Sequence, residues 1–256
     1  METKVVNKPS TYGWHKVPGE GSTRNAFTLA EVLITLAIIG VVAAMTIPTL
    51  VQDYKKKIVE TRLLKIYSTM NNAIQLSSID NGDPSTWDIV GDSGTGSVEN
   101  SQQIMDWFDK YLANYIRYVD KKIPSDIGKL LIYFQDGSVL AIPPAIRDMQ
   151  YIWDAKYLEQ GNWHRGVSVF VFRFDPRTGA NATSGASKYL KNSLFAPFPY
   201  AWDGTYEGAK HDIFEHQYGC YDNSGGETYN VANGALCTKL IQLNGWKIPD
   251  DYPHKF

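Results

Sequence analysis

Charge of one sign is not in excess in this sequence. Its 25 Lys and Arg stand against 27 Asp and Glu, and a net charge of -2 removes any compositional case for nucleic acid as the main partner. Catalytic signatures are missing too. The sequence has no Gly-x-Ser-x-Gly, no phosphate-cradling Gly loop and no His-Glu-x-x-His, so an enzyme is not the expected class. His164, between Trp163 and Arg165, reads as a loop or core histidine. No internal repeat occurs. Cysteine is scarce: Cys220 and Cys237 leave room for one staple, which an oxidising compartment would allow, or for two unrelated thiols in a reducing one. The first 26 residues contain no apolar stretch, which excludes an ordinary secretory signal within them.

What is present is a core-forming chain with an unusual beginning. Hydrophobic residues make up 43% of the 256 positions, enough for one domain with a real core. Aromatic content is 13%, which suits a β-rich domain or a sticky surface. Residues 27–50 read FTLAEVLITLAIIGVVAAMTIPTL, 24 residues whose one charge is Glu31. About 20 apolar residues suffice to cross a bilayer as a helix. The polar, net basic stretch before it places the apolar run after, not before, any cleavage point. Glu31 would cost on the order of 2.5–3.5 kcal/mol inside a span and so needs a partner. If the chain were cut before Phe27, the new α-amino group of a neighbouring subunit would be one; hydration by lipid headgroups is the other reading.

Ala26, Phe27, Thr28, Leu29, Ala30, Glu31 and Val32 resemble the cleavage and methylation motif of type IV prepilins and type II secretion pseudopilins. In that family a basic leader ends in a small residue, the mature chain begins Phe-Thr-Leu, and its fifth residue is Glu within an apolar helix. Gly40 and Pro48 also fall where the family has a Gly and a helix-kinking Pro. The family usually has Gly before the cut, where this chain has Ala26. The resemblance implies cleavage after Ala26 by a prepilin peptidase and N-methylation of Phe27. It further implies assembly through Glu31, Gly40 and Pro48 in a bundle of N-terminal helices. The implied partners are other pilin or pseudopilin subunits, the peptidase, an inner-membrane assembly platform and the lipid bilayer. The implied location is the bacterial inner (cytoplasmic) membrane as a single-pass protein with an extracytoplasmic head, then the pilus or pseudopilus. Flanking charge does not decide that topology. Lys4, Lys8, Lys16 and Arg24 lie on one side of the span, and Lys55, Lys56, Lys57, Arg62 and Lys65 on the other.

The expected architecture is α+β and pilin-like: a long N-terminal helix, its apolar half membrane-spanning, packed against a small antiparallel sheet. Residues 1–26 form the leader, 27–51 the assembly half of the helix, 52–80 its amphipathic half and 81–256 the globular head. Tyr54, Ile58, Leu63, Ile66, Tyr67, Met70, Ala73 and Ile74 follow three- and four-residue steps, and the stripe stops before Asn81, Gly82, Asp83 and Pro84. A second helix is expected over 101–119 with Ser101 as its N-cap. Residues 130–134 and 138–142 flank Gln135, Asp136 and Gly137 as a hairpin, 167–174 read as a strand, and 175–210 as long loops.

Sites in the head are few. A disulfide between Cys220 and Cys237 is expected, with a position similar to the C-terminal disulfide loop of many pilins. A zinc site adding His211 and His216 is the rival, without a strong zinc spacing. No cofactor is expected apart from calcium, for which Asp222, Asn223 and Glu227, and the turn containing Asp80 and Asp83, are weak candidates. The aromatic stretch from Phe195 to Trp202 packs over the core or forms a glycan-stacking patch. Two other functional classes stay open: an anchored adhesin with an aromatic-rich head, and a single-span membrane protein that is never cleaved.

Overall fold

The computed structural model describes residues 13, 27–88, 98–161, 163–175, 194–211, 217–221 and 233–256. The chain separates into two compact units, Met1–Pro48 and Thr49–Phe256. Helix α1 (Leu29–Asn81) contains Pro48 and ends where Gly82 takes a positive φ of 77°. Asp83 then caps a 3-10 turn at Pro84–Thr86 by accepting from the Ser85 N–H at 2.8 Å. The stop signal in the sequence therefore works as expected.

Within the second unit, β1 (Asp120–Lys122), β2 (Leu130–Tyr133), β3 (Val139–Ile142), β4 (Asp148–Ile152), β5 (Val169–Phe174) and β6 (Phe195–Pro197) form one antiparallel sheet in sequential order. The β2–β3 hairpin turns at Asp136 and Gly137, where Gly137 has a φ of 78° that a side chain would resist. Register fixes two faces. Leu130, Ile132, Leu140, Ile142, Met149, Tyr151, Phe170 and Phe172 point to the main core, against Val59, Leu63, Ile66, Met70 and Ile74 of α1 and Ile104, Trp107 and Phe108 of α2 (Val98–Tyr111). Leu131, Val139, Ala141, Ile152 and Val169 point the other way, under Tyr157 and Leu158 of α3 (Lys156–Glu159) and Trp163. Val171 meets Phe198, Ala235 and Leu236, near α4 (Tyr206–Lys210) and α5 (Cys237–Leu243). Both faces are covered, so β2, β3 and β5 read as continuous apolar runs and not as half-buried alternations.

Several boundaries differ from expectation. Helix α2 starts at Val98, so Ser101 lies inside it and is not its N-cap. It ends at Tyr111, not at 119, because Val119 donates its N–H to the Tyr133 carbonyl at 2.7 Å and joins the sheet edge. Pairing with a strand overrides local helical periodicity there. The strand expected from 167 begins at Val169, because Val167 and Ser168 are held in a turn, their N–H groups and that of Val169 donating to the His164 carbonyl. The 175–210 segment is not all loop, since β6 and α4 lie within it. Phe195 and Phe198 are buried, which favours the core-packing reading of that aromatic stretch, with Tyr200 at its surface.

Candidate assembly site

The N-terminal unit offers one long, apolar, uncovered helix. Among the described residues, α1 is the one helix apolar enough over a sufficient length to cross a membrane, and none of that stretch is buried. Phe27 is 86% exposed, and Thr28 precedes the first helical residue. Glu31 Oε2 accepts from the Thr28 N–H and from the Thr28 hydroxyl, both at 2.8 Å, while the Glu31 N–H donates to Thr28 Oγ1 at 3.2 Å. That reciprocal pair is a capping box, which satisfies helix-start donors that have no partner one turn earlier. Its sequence signature is Thr-x-x-Glu before an apolar run.

The remaining polar side chains of this stretch are also satisfied within the helix. Thr35 Oγ1 donates to the Val32 carbonyl and Thr46 Oγ1 to the Val42 carbonyl, each at 2.9 Å. From Thr28 to Thr46, every polar side chain has a partner on its own helix, the arrangement a water-free surrounding demands. Gly40 has no atom within 4 Å of where a Cβ would sit, so nothing in the chain itself requires a glycine there. A mid-helix Gly costs roughly 1 kcal/mol relative to Ala. Ala26 lies outside the described residues.

In the second unit, polar side chains of α1 fasten it to the sheet and to the C-terminal segment. The Arg62 guanidinium donates to the carbonyls of Trp153 and Asp136. Lys65 pairs with Asp136 at 2.8 Å. Glu60 accepts from the Ile248 N–H and from Lys247 Nζ, both at 2.9 Å. Asn71 donates to the Phe195 carbonyl at 2.8 Å and accepts its N–H at 3.3 Å, as a neighbouring strand would. Arg62 and Lys65 therefore belong to the fold, and Lys55, Lys56 and Lys57 are left as the cations beside the apolar run. No local pattern in the sequence could have identified Glu60, Arg62 or Asn71, whose partners lie far along the chain.

Cys220 and Cys237 form a disulfide with a Cα–Cα distance of 4.6 Å. Being bonded to each other, they offer no thiolate for zinc, and the ring that stands beside them is His254, with ligand atoms within 4.8 Å. His216 lies outside the described residues, and His211 closes α4 by donating its N–H to the Glu207 carbonyl at 2.8 Å. The calcium candidates Asp222, Asn223 and Glu227 also lie outside them. In the other acidic turn the carboxylates serve the fold: Asp83 caps a turn, and Asp80 accepts the Tyr115 hydroxyl at 2.6 Å. His164 is exposed in a turn, its N–H donating to Ser168 Oγ at 2.8 Å.

A family model described as a family of unknown function (DUF6613) matches residues 49–256, starting at the first residue of the second unit. The model of the prokaryotic N-terminal methylation motif, the prepilin-type cleavage and methylation motif of type IV pilins and pseudopilins, matches residues 21–47. No curated protein and no solved structure matches the chain.

Proposed function

The chain belongs to DUF6613, a family of unknown function, and from the prepilin-type motif joined to it we propose a processed, pilin-like structural subunit. A prepilin peptidase cuts after Ala26 and Phe27 becomes the methylated N-terminus. The apolar part of α1 then holds the subunit in the inner membrane, with the second unit outside the cytoplasm, until it enters a type IV pilus or a type II secretion pseudopilus. The observation that carries this reading is the match over residues 21–47, a stretch in which the polar side chains from Thr28 to Thr46 find their partners within the same stretch.

In assembly, Glu31 neutralises the Phe27 amine of a neighbouring subunit and so sets the axial register. Its capping bonds use one carboxylate oxygen, Oε2, and they hold the group at the helix start before a neighbour arrives. Gly40 supports the same reading, since small residues let helices approach closely in lipid. Lys55, Lys56 and Lys57 anchor the end of the span at lipid headgroups. The experiment is Glu31→Ala in the native host, scored for membrane insertion, N-terminal processing and filaments. Insertion persists while filament assembly or methylation is impaired; normal fibres refute the pairing role.

A further inference from the structure

Around the disulfide, three ligand-type side chains meet from separate parts of the second unit. Cys220 follows α4, Cys237 opens α5 and His254 lies in the C-terminal segment. The two sulfurs and an imidazole nitrogen all fall within 4.8 Å of one another. Both cysteines are buried and His254 is half-buried. Main-chain bonds set these places without help from the S–S bond. Cys220 donates its N–H to the Ala209 carbonyl at 3.0 Å, and Cys237 donates to the Gly234 carbonyl at 3.1 Å. Between the two flanking segments, Gly234 donates to the Gly219 carbonyl at 3.0 Å and Leu236 to that of Tyr218 at 2.9 Å. The segment carrying His254 is tied down by the Tyr252 hydroxyl, which donates to the Gly166 carbonyl at 2.6 Å.

Gly166 also closes one side of the cluster. A Cβ there would stand 2.6 Å from Cys237 Sγ and 3.0 Å from His254 Nε2, so the missing side chain is what lets sulfur and imidazole share this place. A chain newly made in a reducing compartment still carries both cysteines as thiols. Two thiolates and a neutral imidazole are a donor set that suits a borderline-soft ion and suits calcium or magnesium poorly.

We propose that Cys220, Cys237 and His254 bind Zn2+ in the chain whose cysteines are still reduced. The ion takes three of its four tetrahedral ligands from these side chains and the fourth from water, and its binding releases the two thiol protons. It joins the same two segments as the disulfide and adds the C-terminal one, so it holds this corner of the unit together before oxidation. Disulfide formation then consumes both sulfur ligands. The two thiolates give up two electrons to a disulfide oxidant, the S–S bond forms and the ion leaves. The site lies wholly in the second unit and does not depend on how the N-terminus is processed.

Titration of Co2+ and Zn2+ into the detergent-solubilised full chain tests this, with the protein either oxidised or reduced by a phosphine that is then removed. The reduced chain takes up one equivalent of Co2+ with a thiolate-to-metal charge-transfer band in the near ultraviolet. Zn2+ displaces the Co2+ and raises the melting temperature of the reduced chain. The oxidised chain shows no such band. His254→Gln, which leaves both sulfurs in place, weakens binding about a hundredfold, no less than the loss of an outer-shell partner costs. Absence of the band at micromolar metal, a His254→Gln variant that binds as tightly as wild type, or equal binding by the oxidised chain overturns the proposal. So does a reduced chain that loses its near-ultraviolet dichroism and does not regain it with Zn2+, because the site needs the folded placement of all three ligands.

Discussion

Beside its proposed pairing role, Glu31 caps the start of α1. Its capping bonds to Thr28 occupy Oε2 at 2.8 Å and close the helix start. Thr28→Val removes the hydroxyl and leaves one bond of the box, a loss of about 1 kcal/mol in helix-start stability. The fraying shows as faster amide exchange at residues 29–31 of the micelle-bound chain, and Thr28→Ser restores protection. At Gly166 the reason is steric. Its φ is 81°, and a Cβ there would stand 2.6 Å from Cys237 Sγ and 2.8 Å from a His254 ring carbon. Gly166→Ala lowers the melting temperature of the second unit by several degrees, the outcome of forcing both strain and overlap.

Lys239 is a third single-residue case. It is buried on α5, donates to Gln242 Oε1 at 2.7 Å and lies 4.8 Å from the Trp202 ring centre. Burial lowers its pKa to about 8. The folded value lies below that of the unfolded chain, so between pH 8 and about 10.5 the unfolded state binds more protons and stability rises with pH. Below pH 8 the penalty of holding a buried charge is present in full. Lys239→Met accordingly raises stability at pH 7, on the order of 2 kcal/mol, and the gain shrinks to near zero above about pH 10.5. Denaturant titrations of both proteins at the two pH values measure it.

At the scale of elements, α1 carries two programmes, one in each unit. Residues 29–47 are satisfied by their own backbone, whereas the part from Val59 to Ser77 buries one stripe and pins itself through Glu60, Arg62, Lys65 and Asn71. Arg62→Ala leaves the Trp153 and Asp136 carbonyls without that donor and costs about 2 kcal/mol in thermal unfolding. The helix, its stop at Gly82 and the β2–β3 hairpin were legible because apolar periodicity and turn chemistry are local signals. Strands β1, β4 and β6 were not. Asp120, Lys121 and Lys122 are polar throughout, and their strand character comes from pairing with Leu131, Ile132 and Tyr133. In β4, Gln150 breaks the apolar run, and in β6 the chain is three residues long with a proline at its end. The end of α2 was misplaced for the same reason, since Val119 bonds across to Tyr133. At the candidate assembly site the sequence motif points to Phe27 and Glu31, and the Thr-x-x-Glu spacing that carries the cap is in the sequence as well.

On the scale of the whole molecule, a methylation-motif N-terminus is joined at residue 49 to a disulfide-stapled unit of its own family. The Cys220–Cys237 bridge closes a short loop and is worth about 3 kcal/mol in the chain-entropy view. Reduction lowers the melting temperature of the second unit accordingly, and an oxidising compartment, as proposed for this unit, keeps the bridge formed. In the proposed subunit residues 1–26 are removed and the segment from Phe27 becomes the assembling end. Intact-mass and N-terminal peptide mass spectrometry of the protein from membranes of its host tests this most directly. A chain that begins with N-methylated Phe27 is the expected result, and one that still begins with Met1 rules this processing out.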